Sequence, residues 1–131
     1  MEINSISKNT FKKHERLKLR KDFKNIFENG KSIQNSYLVI LYVNNGLEYS
    51  RYGFSIKKKF GKAVKRNRLK RWLREIIRNN KGIIPKGFDY LIIARKHLSK
   101  DFDKILFTEL KDELLKLFVR INDEKNSNVS D

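Results

Sequence analysis

The residues of this chain best suited to chemistry are lysines and arginines, and they concentrate between positions 57 and 78. Eleven of them lie there with Glu75 as the only acid, so the local charge is eleven minus one, or +10, out of +16 for the whole chain. Like charges three or four residues apart on a helix repel by about 0.2–0.5 kcal/mol per pair. This repulsion has little local compensation, so the pattern indicates a polyanionic partner. Nucleic acid is the first candidate and an anionic membrane surface the second.

The positive charges share a helix with a regular apolar stripe. At about 100° per residue, the apolar side consists of Leu69, Trp72, Leu73, Ile76 and Ile77. Arg71, Arg74 and Arg78 point the opposite way. The segment is therefore predicted to pack one side on a core and to present the other to phosphates, which basic side chains bind without reading sequence.

No group of residues in the sequence is arranged for catalysis. Metal-assisted phosphodiester cleavage recruits several carboxylates around divalent ions, whereas the fifteen acids here are scattered. His14 and His97 are far apart and form neither a metal-ligand spacing nor an acid–base pair. The chain has no cysteine, and residues 57–68 lack the ending of a phosphate-binding loop. We therefore expect a binding protein with no catalytic residue and no metal site of its own.

Secondary-structure signals follow the order helix, strand, strand, helix, strand, helix. The predicted helices cover 21–29, 62–79 and 102–119, and the predicted strands cover 37–43, 51–56 and 88–94. Asn45-Gly46 between the first two strands favours a tight hairpin. The economical arrangement is an α+β fold, a small sandwich in which helices pack on a central mixed sheet of about four strands.

The composition indicates one folded domain. The chain has 131 residues, 39% of them hydrophobic, which is enough for a core. We expect a single domain over 1–121, with a flexible arm at 1–15 and a disordered tail at 122–131. No run of eighteen apolar residues exists that could span a membrane, and the N-terminus lacks the apolar core of a secretory signal. A cytoplasmic location is the resulting expectation.

The basic segment and its surroundings resemble a known family. The run GFSIKKKFGKAVKRNRLKRWLREIIR at 53–78 is similar to the signature of the bacterial ribonuclease P protein subunit. That signature joins a strand ending in Lys-Lys to Gly-x-Ala-Val-x-Arg-Asn-Arg-x-Lys-Arg, then two residues and Arg. LRKDFKNIF at 19–27 resembles the family's first helix, and YLIIARK at 90–96 resembles its late strand. The resemblance covers about residues 16–119.

The resemblance implies a fold and a division of labour. The basic helix would be entered through a left-handed βαβ crossover, against the usual right-handed preference. The chain would be the RNA-binding protein subunit of an endoribonuclease that removes the 5′ leader of precursor tRNA. In this family the RNA subunit performs the hydrolysis, and Mg²⁺ would be held mainly by that RNA. Neither DNA nor a membrane is an expected partner.

Two binding surfaces are assigned on this basis. Contacts with the catalytic RNA are expected along the basic helix, at Lys62, Arg66, Asn67, Arg68, Lys70, Arg71 and Arg74. A cleft for the single-stranded leader is expected to combine rings that stack on unpaired bases with nearby lysines, at Phe23, Phe27, Tyr37, Tyr52, Lys57, Lys58 and Lys59. Leu41 and Tyr42 both stay open as the residue of the first strand that faces the leader.

Two other functions remain alternatives. A ribosomal or chaperone-like RNA-binding protein would use the same charges. A DNA-binding domain would place residues 62–78 in a major groove. That alternative is weaker, because the helix lacks an obvious helix-turn-helix partner and the aromatic residues suit unpaired bases better.

Overall fold

The computed structural model describes the backbone of residues 12–130 and the side chains of residues 12–125. Its helices are α1 (Arg20–Asn29), α2 (Ala63–Asn79), α3 (Lys96–Asp101) and α4 (Phe107–Ser130). Its strands are β1 (Lys31–Gln34), β2 (Leu38–Asn44), β3 (Arg51–Ser55) and β4 (Phe88–Ala94). Short 3-10 turns cover Lys13–Glu15 and Lys58–Phe60.

The four strands form one mixed sheet in the order β1-β2-β4-β3. β4 is antiparallel to β2 and parallel to β3, and β1 is antiparallel to β2. β4 can take a central position because both of its faces are apolar, with Tyr90 and Ile92 buried on one face and Leu91 on the other. The predicted α+β class, with helices packed on a mixed sheet of about four strands, is confirmed.

The basic helix α2 connects β3 to β4, which are neighbouring parallel strands. Its predicted span of 62–79 agrees with the observed Ala63–Asn79, for which Lys62 is the N-cap residue. Antiparallel neighbours can be joined by a short turn, but parallel neighbours need a crossover connection of this kind. The left-handed sense of the crossover stays a prediction from the family resemblance.

Helices cover both faces of the sheet. The larger core lies between the sheet and the helices α2, α3 and α4, and its fully buried members include Ile40, Leu73, Ile92 and Leu114. On the other face, Leu17 and Ile26 pack against Leu91. Because residues alternate between faces along a strand, Leu41 lies on the α1 side and Tyr42 in the larger core. Of the two residues left open by the sequence, Leu41 is therefore the one that faces α1.

The predicted tight hairpin between the first two predicted strands is wrong. β2 and β3 are not neighbours, because β4 lies between them. The side-chain oxygens of Asn44 and Asn45 accept the amides of Gly46 and Leu47 at 3.0 and 2.8 Å, so the turn itself forms. The backbone amide of Asn45 donates to the carbonyl of Gly87 at 2.9 Å, which ties this turn to the start of β4 instead of closing it onto β3.

β1 and the C-terminal helices also differ from the prediction. The sequence gives little signal for β1, since Ile33 is its single apolar residue. One helix over 102–119 is predicted, but the structure has two helices, α3 and α4. The helical conformation is interrupted between them, where the side chain of Phe102 is fully buried in the core. α4 continues to Ser130, where a disordered tail from 122 is predicted. Ile121 is buried there, and the Tyr42 hydroxyl donates to Glu124 at 2.5 Å. The expected domain boundary at 121 thus lies within α4.

The flexible arm predicted at 1–15 is wrong for its last residues, while residues 1–11 lie outside the described part of the chain. Glu15 is buried, and its Oε1 accepts from Lys81 Nζ at 2.7 Å and from the Lys12 amide at 2.9 Å. The Leu17 amide donates to the Tyr52 carbonyl at 2.9 Å. These contacts hold the segment along the outer edge of β3.

Candidate nucleic-acid interface

The outward side of α2 carries cations because its inward side supplies the core. Leu69, Leu73 and Ile77 are 0% exposed, and their helical spacing leaves the remaining positions facing away from the sheet. Of the residues predicted to contact RNA, the exposed ones are Lys62, Asn67, Arg71 and Arg74, and the half-buried ones are Arg66, Arg68 and Lys70. The structure thus brings the seven together on one helix, with unequal access to a ligand.

Hydrogen bonds hold the start of α2 against α3. Arg66 Nε donates to the Gly61 carbonyl at 3.0 Å, and Lys65 Nζ donates to the Ser99 carbonyl at 2.8 Å. Ser99 Oγ donates to the Phe60 carbonyl at 2.6 Å. These bonds fix the orientation of the first turn of α2. The role of Lys65 could not be found from the sequence, because its partner is distant along the chain.

Arg68 differs from the other cations because its guanidinium lies over aromatic rings. Its Cζ is 4.7 Å from the centroid of the Phe102 ring and 5.7 Å from that of Trp72. Its Nη2 is 3.5 Å from Asp103 Oδ1, and its Nε is buried without a hydrogen-bond partner among the described residues. Trp72 also packs on Phe102 and Phe107, at centroid distances of 4.9 and 5.5 Å. Arg68 therefore takes part in packing, and part of its charge is compensated inside the protein.

Lys70 and Arg74 meet a third cation, Arg16, at the outer edge of β3. Together they line a hollow of about 170 Å³ whose other lining residues are Leu17, Tyr52, Gly53 and Phe54. None of these described lining residues is acidic. Arg16 was missed by the sequence reasoning, because only the pairing of its segment with β3 brings it to α2. The hollow extends the positive surface of α2 onto the N-terminal segment.

A second surface, which we call the α1 cleft, lies on the opposite face of the sheet. One half-buried row crosses the strands there and consists of Val39, Ile93 and Ser55. Phe23 covers the neighbouring row, which contains Gly53, since a Cβ placed at Gly53 would lie only 3.0 Å from the Phe23 ring. Phe27, one turn further along α1, is 64% exposed. The described residues of the α1 cleft are therefore Phe23, Phe27, Val39, Leu41, Ser55 and Ile93.

The three predicted lysines adjoin the α1 cleft. Lys57, Lys58 and Lys59 are exposed, and they follow β3 at the end of the sheet where Ser55 pairs with Ile93. The buried ring of Phe60 anchors the turn that carries them. Because the same turn leads directly into α2, it joins the α1 cleft to the positive face of the helix.

Tyr37 and Tyr52, both predicted in the cleft, lie elsewhere. Tyr52 is 4% exposed and stacks on Tyr90 in the larger core, with 5.5 Å between ring centroids. Burial raises the pKa of Tyr52. The Tyr37 hydroxyl donates to Asp101 Oδ2 at 2.9 Å beside α3, and this hydrogen bond raises the pKa of Tyr37. Alternation in the sequence shows which residues share a face, but not which helices cover that face.

An ion-pair group fixes α1 on the sheet. Arg51 donates through Nε and Nη2 to the two oxygens of Asp89 at 2.8 and 2.7 Å, and Asn45 donates to the same carboxylate at 3.0 Å. Arg51 Nη1 lies 3.4 Å from Asp22 Oδ2 on α1. Because Asp22 precedes Phe23, this group sets the position of the first ring of the α1 cleft. The sequence carried no signal that these three charges would meet.

The part of the chain that the structure describes, residues 12–130 with side chains to 125, contains neither a cluster of potential metal ligands nor a membrane-spanning helix. Among these residues no three or more His, Cys, Asp or Glu side chains are grouped so that they could hold a metal ion. No helix within the described range has the length and apolar character needed to cross a membrane.

Comparisons with known sequences agree on one family. The family model described as Ribonuclease P matches residues 11–122. The ribonuclease P protein component of Thermotoga maritima is 55% identical over 112 residues, which span 86% of this chain and 96% of that protein. The ribonuclease P protein component of Petrotoga mobilis is 47% identical over 108 residues, which span 82% and 92% of the two chains.

Solved structures show the same arrangement. The ribonuclease P protein from Thermotoga maritima superimposes with a TM-score of 0.78 at 56% identity, covering 81% of this chain and 96% of that one. The Staphylococcus aureus protein gives a TM-score of 0.70 at 33% identity, covering 79% and 91%. Fold and site define a small α+β protein built around a cationic crossover helix. The chain belongs to the ribonuclease P protein family. The family resemblance is thereby confirmed, and membership assigns the chain to a ribonuclease of tRNA processing.

Proposed function

We propose that this chain is the protein subunit of ribonuclease P and assists endonucleolytic removal of the 5′ leader from precursor tRNA. It binds the catalytic RNA through the positive face of α2 and the leader through the α1 cleft. The observation that carries the proposal is the placement of these surfaces on opposite sides of one sheet, joined by the turn 57–61. A single assembly can contact both surfaces at once.

The cations of α2 bind phosphates of the catalytic RNA. Lys62, Arg71 and Arg74 are exposed, and no hydrogen bond or ion pair to another described side chain holds them away from a phosphate. Arg66 and Arg68 are held by contacts within the protein, so less freedom is lost when their remaining N–H groups bind RNA. Contacts of this kind position the RNA and lose affinity as salt rises.

The α1 cleft suits a single strand. The exposed ring of Phe27 and the half-buried ring of Phe23 offer stacking surfaces, and such stacking contributes about 1–3 kcal/mol per base. Exposed lysines at 57–59 meet the sugar–phosphate backbone where it leaves the cleft. Because mature tRNA has no leader, this surface favours the precursor over the product.

Hydrolysis in this proposal belongs to the RNA subunit, with Mg²⁺ held mainly by that RNA. The proposal assigns no catalytic residue to the protein. His14 packs against the Tyr49 ring at 4.8 Å, and His97 Nε2 lies 3.2 Å from Asp101. Each histidine thus has a partner inside the protein, and the two do not form an acid–base pair. We place this work in the cytoplasm.

Reconstitution tests the proposal. Ribonuclease P RNA transcribed from the same genome, a 5′-labelled precursor and the protein are combined at low Mg²⁺, and cleavage at the mature 5′ end is followed. We expect cleavage with all components and none with protein alone. Absence of any stimulation by the protein would contradict the proposal and favour the ribosomal or DNA-binding alternative. Hydrolysis by RNA-free protein would contradict the assignment of catalysis to the RNA.

A further inference from the structure

Asp103, in the connection between α3 and α4, lies between two cations of α2. Its Oδ2 is 3.7 Å from Lys65 Nζ, and its Oδ1 is 3.5 Å from Arg68 Nη2. The side chain of Asp103 is 71% exposed, against 21% for Lys65 and 38% for Arg68. A solvent-facing carboxylate therefore stands in front of two cations that have limited exposure of their own.

Contacts other than the ion pairs also hold these three residues in position. Phe102, adjacent to Asp103, is 0% exposed and lies under the Arg68 guanidinium at 4.7 Å. Lys65 is held by its 2.8 Å hydrogen bond to the Ser99 carbonyl. Removing the charge of Asp103 should therefore leave both cations in place, with their charges uncompensated.

We propose that Asp103 is a built-in competitor of RNA phosphate that occupies Lys65 and Arg68 until RNA displaces it. The proposal rests on the proposed role of α2 as the surface for the catalytic RNA. Exposed ion pairs of this length are weak, whereas a phosphate brings several acceptor oxygens and forms charge-assisted hydrogen bonds with arginine. A correctly placed phosphate can therefore take over both cations, and the displaced carboxylate moves into solvent.

This competition gives a strongly basic protein a measure of selectivity. With a net charge of +16, the chain attracts any polyanion. Repulsion by Asp103 weakens the binding of RNA that lies loosely over the start of α2, because such RNA makes too few favourable contacts to displace the carboxylate. Specific binding proteins commonly combine attraction for the right partner with such a repulsive element against others.

The test compares Asp103→Asn with Asp112→Asn. Both changes remove one exposed carboxylate and keep the side-chain size, but Asp112 lies on α4 and forms no ion pair within the described residues. Binding of ribonuclease P RNA and of poly(U) is measured by filter binding over a series of salt concentrations. At low salt we expect Asp103→Asn to bind poly(U) about fivefold tighter than Asp112→Asn, as for one charge a few Å from a phosphate in water. The gain for ribonuclease P RNA should be smaller, because that RNA displaces the carboxylate. The plot of log affinity against log salt should be steeper by up to about one unit for Asp103→Asn.

Arg68→Ala provides a second arm. If Asp103 acts by occupying this arginine, the gain from Asp103→Asn should shrink in the Arg68→Ala background. Equal affinities of Asp103→Asn and Asp112→Asn would overturn the inference. So would weaker binding by Asp103→Asn, because Asp103 would then be holding Arg68 in place for RNA. A wild-type protein that binds neither RNA would instead contradict the proposed function itself.

Discussion

Replacing Phe27 with alanine tests the α1 cleft with little disturbance of the fold. The ring is 64% exposed, whereas the neighbouring Ile26 is 1% exposed and holds α1 on the sheet. Full burial of a phenylalanine side chain contributes about 1.5–3 kcal/mol, so the buried third of this ring contributes about 0.5–1 kcal/mol. Alanine has the higher helix propensity, by roughly 0.5 kcal/mol, and offsets much of that loss. Thermal unfolding should therefore change little.

The effect on binding should be larger than the effect on stability. Stacking of one base on an aromatic side chain contributes about 1–3 kcal/mol, which corresponds to a loss of affinity of about 5-fold to 150-fold. The loss should appear for precursor tRNA with a leader that reaches the α1 cleft. Mature tRNA, which has no leader, should bind the assembled enzyme with unchanged affinity.

Leu106→Ala is the matched control. Leu106 is also 64% exposed, but it lies immediately before α4, and α4 packs on the other face of the sheet. Each variant is assembled with the catalytic RNA, and dissociation constants are measured for a fluorescent precursor and for mature tRNA. If Phe27→Ala lowered both affinities equally, or behaved like Leu106→Ala, the assignment of the leader to the α1 cleft would be refuted.

Three further predictions follow from single contacts. Arg74→Ala should make the salt dependence of binding to the catalytic RNA shallower by about 0.7–0.9 in slope and leave thermal unfolding unchanged. Arg68→Ala should have the same effect on binding and should also destabilise the fold by about 0.5–2 kcal/mol, because the ring contacts of its guanidinium are lost. Gly53→Ala should push Phe23 outward and lower the free energy of unfolding by about 1 kcal/mol. It should also weaken binding of precursor tRNA more than binding of mature tRNA, and equal effects on the two affinities would contradict this. Burial raises the pKa of Tyr90 above 10, the ordinary tyrosine value, so this tyrosine ionises in the unfolded chain first. Above pH 10 the free energy of unfolding should therefore fall as pH rises, by about 1.4 kcal/mol per pH unit for each tyrosine buried in this way. Denaturant titrations should show a smaller fall for Tyr90→Phe, and an unchanged fall would count against this cause.

The basic helix could be predicted because its signal is local. The apolar residues of α2 repeat with helical spacing, and a helix fixes which side each residue faces. Buried positions such as Leu69 and Ile76 therefore followed from the spacing alone. The strand spans 37–43 and 88–94 were recognisable for a similar reason, since each is a continuous apolar run.

Features that depend on distant pairing could not be predicted in this way. The Asn45-Gly46 turn forms, yet β4 inserts between the strands that it appeared to join, because a strand that is apolar on both faces is best covered at the centre of a sheet. Tyr52 alternates correctly along β3 but faces the larger core, since α2 and α4 pack on that side. Arg16 joins the positive surface only through the pairing of its segment with β3.

The strong positive charge of α2, in which Glu75 is the single acid, is tolerated because the buried apolar residues and the exposed cations lie on different sides of one helix. Leu69, Leu73, Ile76 and Ile77 are at most 1% exposed, and their burial contributes about 1.5–3 kcal/mol each. Repulsion between neighbouring cations costs about 0.2–0.5 kcal/mol per pair, which is too little to unfold the helix. Salt screens that repulsion and also weakens phosphate binding. Added sodium chloride should therefore raise the free energy of unfolding of the isolated protein slightly while it lowers affinity for the catalytic RNA. Parallel losses of stability and affinity would show instead that attractive ion pairs, not the apolar side of α2, hold this helix in place.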